Sequence, residues 1–86
     1  MSRLEEVRSE VLRFVQAVPF EPFVLELESG RLVLVTHPEN IAIDVDLPAD
    51  AKGYGRFHVL TGGQVVVSNF RAVTSVTLAD QDSLAG

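Results

Sequence analysis

The sequence predicts a small α+β domain, mainly β, in which one N-terminal helix precedes a strongly bent antiparallel barrel of five or six strands. Three observations lead to this prediction. Apolar residues recur every three or four positions at the start of the chain, apolar and polar residues alternate after Pro22, and glycines divide the remainder into short segments. Short strands joined by tight turns favour a closed or nearly closed barrel, because closure leaves few exposed edges.

The first predicted element is a helix from about residue 3 to residue 17. Its apolar stripe consists of Leu4, Val7, Val11, Phe14 and Val18. Its polar face consists of Glu5, Glu6, Arg8, Ser9, Glu10, Arg13 and Gln16. Ser2 and Glu5 have the spacing of a capping box. Pro19 ends the helix, since it lacks an amide proton and disfavours helical geometry at Val18.

Short strands fill most of the rest of the chain. Their predicted ranges are about 23–28, 31–36, 41–46, 56–60, 64–68 and 73–78. Turns are predicted at Ser29 and Gly30, and again at Gly62 and Gly63, because glycine readily adopts positive φ. Residues 69–72 are predicted to form one tight turn, residues 47–55 an irregular connection, and residues 79–86 a polar, frayed tail. We therefore expect one domain over residues 1–86, with the barrel over about 23–78.

The composition narrows the possible functions. The chain has 86 residues, a formal net charge of −5 and no cysteine. Nucleic-acid binding relies on clustered Lys and Arg, and no basic run is present, so nucleic acid is a disfavoured partner. The absence of cysteine excludes disulfides and thiolate metal sites and fits a cytoplasmic location. We see no signal peptide and no apolar run near the ~20 residues that span a bilayer.

The most conspicuous polar cluster is formed by His37, Pro38 and Glu39. A general base or metal ligand at His37, with Glu39 and His58 as its companions, is one interpretation. Turn chemistry is the favoured alternative, because Pro38 and flanking polar residues are typical of a strand-ending turn. Metal sites usually need three or four protein ligands, so we predict no metal. The serines have no nucleophile elbow and no glycine turn is followed by a helix, so we also predict no catalytic residue and no cofactor.

The apolar content suggests a different kind of site. Hydrophobic residues make up 47% of this short chain, which indicates a very apolar core or a surface buried against another chain. Val33, Val35, Leu60 and Val66 are out of phase with the predicted core stripes. The candidate interface residues are Val33, Val35, Val65, Val67 and Phe70. Coverage of both strand faces by the helix and by barrel closure is the alternative.

The segment from Pro19 to Glu39 resembles a family of small bacterial proteins of planctomycete type. Their shared core is PFxPFxLxLxDGRxxxVxHPE, and Ser29 stands here where the family has Asp. The resemblance covers about a quarter of the chain closely. It implies a shared fold and a bacterial context, and no particular activity.

The order of elements is also similar to Sm-like and SH3-like small barrels. The segment from Asn69 to Val76 resembles the tight turn and final strand of the Sm-like fold, in which the last strands meet neighbouring subunits. The basic RNA-contact motifs of that fold are not recognisable here. We therefore predict a non-enzymatic interaction module that binds itself or another protein. The alternative is an Sm-like nucleic-acid-binding protein that uses Arg31, Lys52, Arg56 and Arg71.

Overall fold

The computed structural model describes residues 3–44 and 46–79. It contains one helix, α1, and six strands in the order β1 to β6. Their bounds are α1 Arg3–Gln16, β1 Phe23–Leu27, β2 Leu32–Val35, β3 Ile41–Ile43, β4 Arg56–Thr61, β5 Gln64–Asn69 and β6 Val73–Leu78. Two short 3-10 turns, η1 Pro38–Asn40 and η2 Phe70–Ala72, precede β3 and β6. The predicted class, mainly β with one N-terminal helix, is confirmed.

The strands form two three-stranded antiparallel sheets rather than one closed barrel. The first sheet has the order β2-β1-β6 and the second has the order β3-β4-β5. The turn η1 separates β2 from β3, and the backbone N–H of Asn40 donates to the carbonyl of His37 at 3.0 Å. Pro38 has no N–H to continue a strand ladder. The chain therefore passes from one sheet to the other at this turn.

The third strand is shorter than predicted. It ends at Ile43, because a carboxylate oxygen of Asp44 accepts a hydrogen bond from the backbone N–H of Asp46 at 3.2 Å. Such a side-chain-to-backbone bond turns the chain away from a strand. Val45 lies outside the described residues, as do Ser2 of the predicted capping box and residues 80–86 of the predicted tail.

One hydrophobic core lies between the two sheets and the helix. In β1, β2, β4 and β5 alternate residues face it, as the period of a strand requires. The buried hydrophobic residues are Val11, Phe23, Leu25, Leu27, Val33, Val35, Ile41, Phe57, Val59, Val66, Phe70 and Val73. Within residues 3–44 and 46–79, no helix has the length and apolar character needed to cross a bilayer.

The helix is held against the sheets by two arginines. Arg3 donates through Nη2 to the carbonyl of Val73, at the start of β6, over 2.8 Å. Arg8 is buried and donates through Nη2 to the carbonyl of Asp44, just after β3, over 3.0 Å. Because one bond reaches each sheet, α1 is fixed to both. The outward-facing residues His58, Leu60, Val65 and Val67 of the β3-β4-β5 sheet are exposed.

Candidate functional site

The largest aliphatic surface of the second sheet lies on the outer side of the β4–β5 hairpin. Leu60, Val65 and Val67 are 51%, 64% and 57% exposed. Leu60 pairs with Val65 across the two strands, and Val67 lies next to them on the same face. We call these three residues the hairpin patch.

The local sequence explains why these side chains point outward. Gly62 and Gly63 have φ of +57° and +76°, which matches the two-residue turn that suits the twist of paired strands. This turn fixes Thr61 opposite Gln64. Side chains alternate along β5, so Val66 enters the core and its two neighbours face solvent. Val65 and Val67 therefore lie on the outer face of the sheet, and Val66 lies on its core face.

The backbone of β5 is also open on one side. This strand pairs with β4 and with no other strand of the described chain. Hydrogen-bonded and non-hydrogen-bonded pairs alternate in an antiparallel ladder. Thr61 and Gln64 flank the turn as a hydrogen-bonded pair, and the bond from Phe70 N–H to the Gly55 carbonyl, at 2.7 Å, continues the alternation. The N–H and C=O groups of Val65 and Val67 consequently point away from β4.

Three of the five predicted interface residues lie in the core. Val33, Val35 and Phe70 have no exposed surface, so they offer nothing to a partner. On β2 the valines face inward, opposite Leu25 and Phe23 of β1. The outward positions of β2 belong to its leucines.

Phe70 is buried because its ring packs on that of Phe57, with 4.9 Å between the ring centroids. Only Val65 and Val67 of the predicted interface therefore remain at the surface. Leu60 joins them, and its signal in the sequence is its position between the inward-facing Val59 and the turn.

The predicted polar candidates occupy separate places. His37 and Glu39 are both exposed at η1, where the His37 carbonyl accepts the bond that closes the turn. His58 is exposed on the outer face of β4, opposite Ala42 and Val67. Among residues 3–44 and 46–79, no group of three or more His, Asp or Glu side chains is placed to hold a metal ion. The structure supports the interpretation of η1 as turn chemistry.

A polar pocket of about 400 Å³ lies at the opposite end of β4 from the hairpin turn. Its lining includes Arg56 and Arg71, together with Asn69, Tyr54 and Glu5. Arg31 and Lys52, the other cations considered for nucleic-acid binding, are not part of it. The pocket thus combines two guanidinium groups with one carboxylate.

Comparison with known proteins gives no relative of this chain: no family model, no curated protein and no solved structure matches it. The function of this chain must therefore be inferred from the geometry of the hairpin patch and from the hydrogen-bonding groups of β5.

Proposed function

We propose that this chain is a non-enzymatic interaction module that works in the cytoplasm through protein–protein contacts and associates with copies of itself. The observation that carries the proposal is the hairpin patch, where three large aliphatic side chains are each more than half exposed on one sheet face. Exposed apolar strands are hazardous for a protein unless a partner covers them. A second copy that covers the patch would remove these side chains from water.

The position of the patch supports this proposal further. Among residues 3–44 and 46–79, the other large exposed hydrophobic residues are Val18, Leu32 and Leu78, and none of these three lies on the β3-β4-β5 sheet. Leu60 and Val65 are direct cross-strand partners, so their side chains form one continuous surface. Because these groups lie on paired strands, they need little further ordering when the hairpin binds.

The strand connections support a relation to Sm-like and SH3-like small barrels. The first strand pairs with the last, and a tight turn, η2, comes directly before that last strand. We propose that the two sheets correspond to the two halves of such a barrel, left open where the sheets do not pair with each other. The relation to the bacterial family with the PFxPF core remains a prediction.

Size-exclusion chromatography with light scattering tests self-association. We expect the mass of the wild-type protein to rise above that of the 9.4 kDa chain as its concentration increases. Val65→Lys should keep the protein monomeric, because it places a charge in the patch. Thr77→Lys is the matched control, since Thr77 is an exposed strand residue of the other sheet. A wild-type protein that stays at the mass of one chain at every concentration would end the proposal.

Nucleic-acid binding is the second candidate function. The observation that favours it is the shared pocket of Arg56 and Arg71, while the net charge of −5 opposes it. A gel-shift titration at low salt, where phosphate contacts are strongest, tests it. A shift that disappears in the Arg56→Ala, Arg71→Ala double variant would support this function, and no shift at low salt would exclude it.

A further inference from the structure

We propose that two copies of this chain join through their β5 strands. In this arrangement the strands pair antiparallel across a twofold axis at Val66, and the two β3-β4-β5 sheets merge into one six-stranded sheet. The inference rests on the proposed self-association, and it adds the strand, the register and the contact residues. Addition of a strand to an open sheet edge is a recurrent mode of protein recognition.

Comparison of the four sheet edges selects β5. The edge strands β2 and β3 have four and three residues. The edge strand β6 packs beside α1, and Arg3 already bonds to its first carbonyl. Only β5 combines six residues with an outer edge that has no hydrogen-bond partner within residues 3–44 and 46–79.

The sequence of β5 lacks the features that normally protect an edge. Charged residues, prolines and bulges discourage strand pairing at sheet edges. The strand reads QVVVSN and contains no charged residue and no proline, and its register with β4 is regular throughout. Two copies can therefore bring these edges together without like charges facing each other, despite the net charge of −5 on each chain.

The outward backbone groups define the register. In a twofold antiparallel pair, Val65 can face Val67 of the second copy, which places Val66 opposite its own counterpart. Both N–H and both C=O groups of Val65 and Val67 then find partners. A shift toward the end of β5 would place Asn69 opposite Val65, and a shift the other way would place Gly63 of the turn opposite Val67. Only the register with Val66 opposite its own counterpart pairs valine with valine at both symmetry-related positions.

The same register joins the two hairpin patches. Leu60 lies beside Val65, and His58 lies beside Val67, within each copy. Pairing of Val65 with Val67 of the second copy creates two symmetry-related rows of side chains on one face of the merged sheet. Each row contains Leu60 and Val65 of one copy, followed by Val67 and His58 of the second copy. Cross-strand neighbours on one face are within contact distance, so the exposed aliphatic side chains of both copies form one surface.

Disulfide cross-linking tests the register, because the chain contains no cysteine of its own. A hydrogen-bonded antiparallel pair separates Cα atoms by about 5.5 Å, which lies within the range a disulfide bridges. Val65→Cys and Val67→Cys proteins are mixed after one of them is labelled with ¹⁵N, and the oxidised products are separated by mass. Two copies of the same variant would place their cysteines on the order of 9 Å apart, which is too far.

We expect the disulfide between one Val65→Cys chain and one Val67→Cys chain to form about tenfold faster than a disulfide between two chains of the same variant. Thr77→Cys, on the other sheet, gives the background rate of random collision. If light scattering shows a dimer but the mixed product is not favoured, the register is wrong and the proposed self-association stands. If light scattering shows only monomers, both proposals are wrong.

Discussion

The guanidinium of Arg8 lies over the ring of Tyr54, with 4.2 Å between its Cζ atom and the ring centroid. Arg8 belongs to α1, and Tyr54 belongs to the connection between β3 and β4. Arg8 is the buried charged side chain of the described residues, and its Nε has no hydrogen-bond partner among them. The attraction of a desolvated cation to an aromatic ring, together with the bond to the Asp44 carbonyl, offsets part of the cost of this burial.

We expect Arg8→Ala to lower the free energy of unfolding by about 2 kcal/mol, because it removes the ring contact, the hydrogen bond and the packed aliphatic stem. Arg13→Ala is the matched control on the same helix. Arg13 is exposed and forms an ion pair with Glu10 at 3.2 Å, so its loss should change the free energy by less than about 0.5 kcal/mol. Urea unfolding followed by circular dichroism measures both variants. Equal losses would contradict the role given to Arg8.

The tilted ring pair of Phe57 and Phe70 gives a second prediction, which distinguishes a core role from an interface role. Both rings are fully buried, so Phe70→Leu should cost about 1.5 kcal/mol of stability through lost packing and the lost ring contact. The dissociation constant of the self-associated protein should not change in conditions where the variant is folded. Light scattering and urea unfolding measure the two effects separately. Weakened association without a loss of stability would show that Phe70 belongs to the interface and not only to the core.

Gly55 gives a third prediction, because a Cβ atom there would lie 2.7 Å from Cδ1 of Leu4. The Leu4 side chain must move to admit it, so we expect Gly55→Ala to lower the free energy of unfolding by about 1 kcal/mol. In a Leu4→Ala background the same substitution should cost much less, since the clashing methyl group is absent. A double-mutant cycle measures this coupling. Equal costs in both backgrounds would show that the contact with Leu4 is not the cause.

The positions of the helix and most strands could be predicted from the sequence, because hydrophobic periodicity is a local property. The predicted helix over 3–17 corresponds to Arg3–Gln16, and the predicted strand over 73–78 corresponds to Val73–Leu78. The period changes where Pro19 and Pro22 stand. A change of period and a proline can both be recognised without knowledge of distant contacts.

The inward face of β2 and the division of the strands into two sheets could not be predicted in the same way. The strand reads LVLV, so both faces are apolar, and the pattern alone does not show which face the core receives. The pairing of Val33 with Leu25 decides it. The burial of Arg8 was missed for a similar reason. Its position on the polar face of α1 predicts exposure, but its acceptor, the Asp44 carbonyl, lies 36 residues away in the sequence.

The two candidate functions predict opposite responses to salt, and this is the fourth prediction. Each copy has a net charge of −5, so two copies repel each other over a Debye length. Raising the salt concentration should lower the dissociation constant of self-association severalfold, whereas nucleic-acid binding would weaken. Analytical ultracentrifugation over a salt series measures this, with Val65→Lys as a control that stays monomeric throughout. A dissociation constant that rises with salt would show that ion pairs, rather than the hairpin patch, hold the copies together.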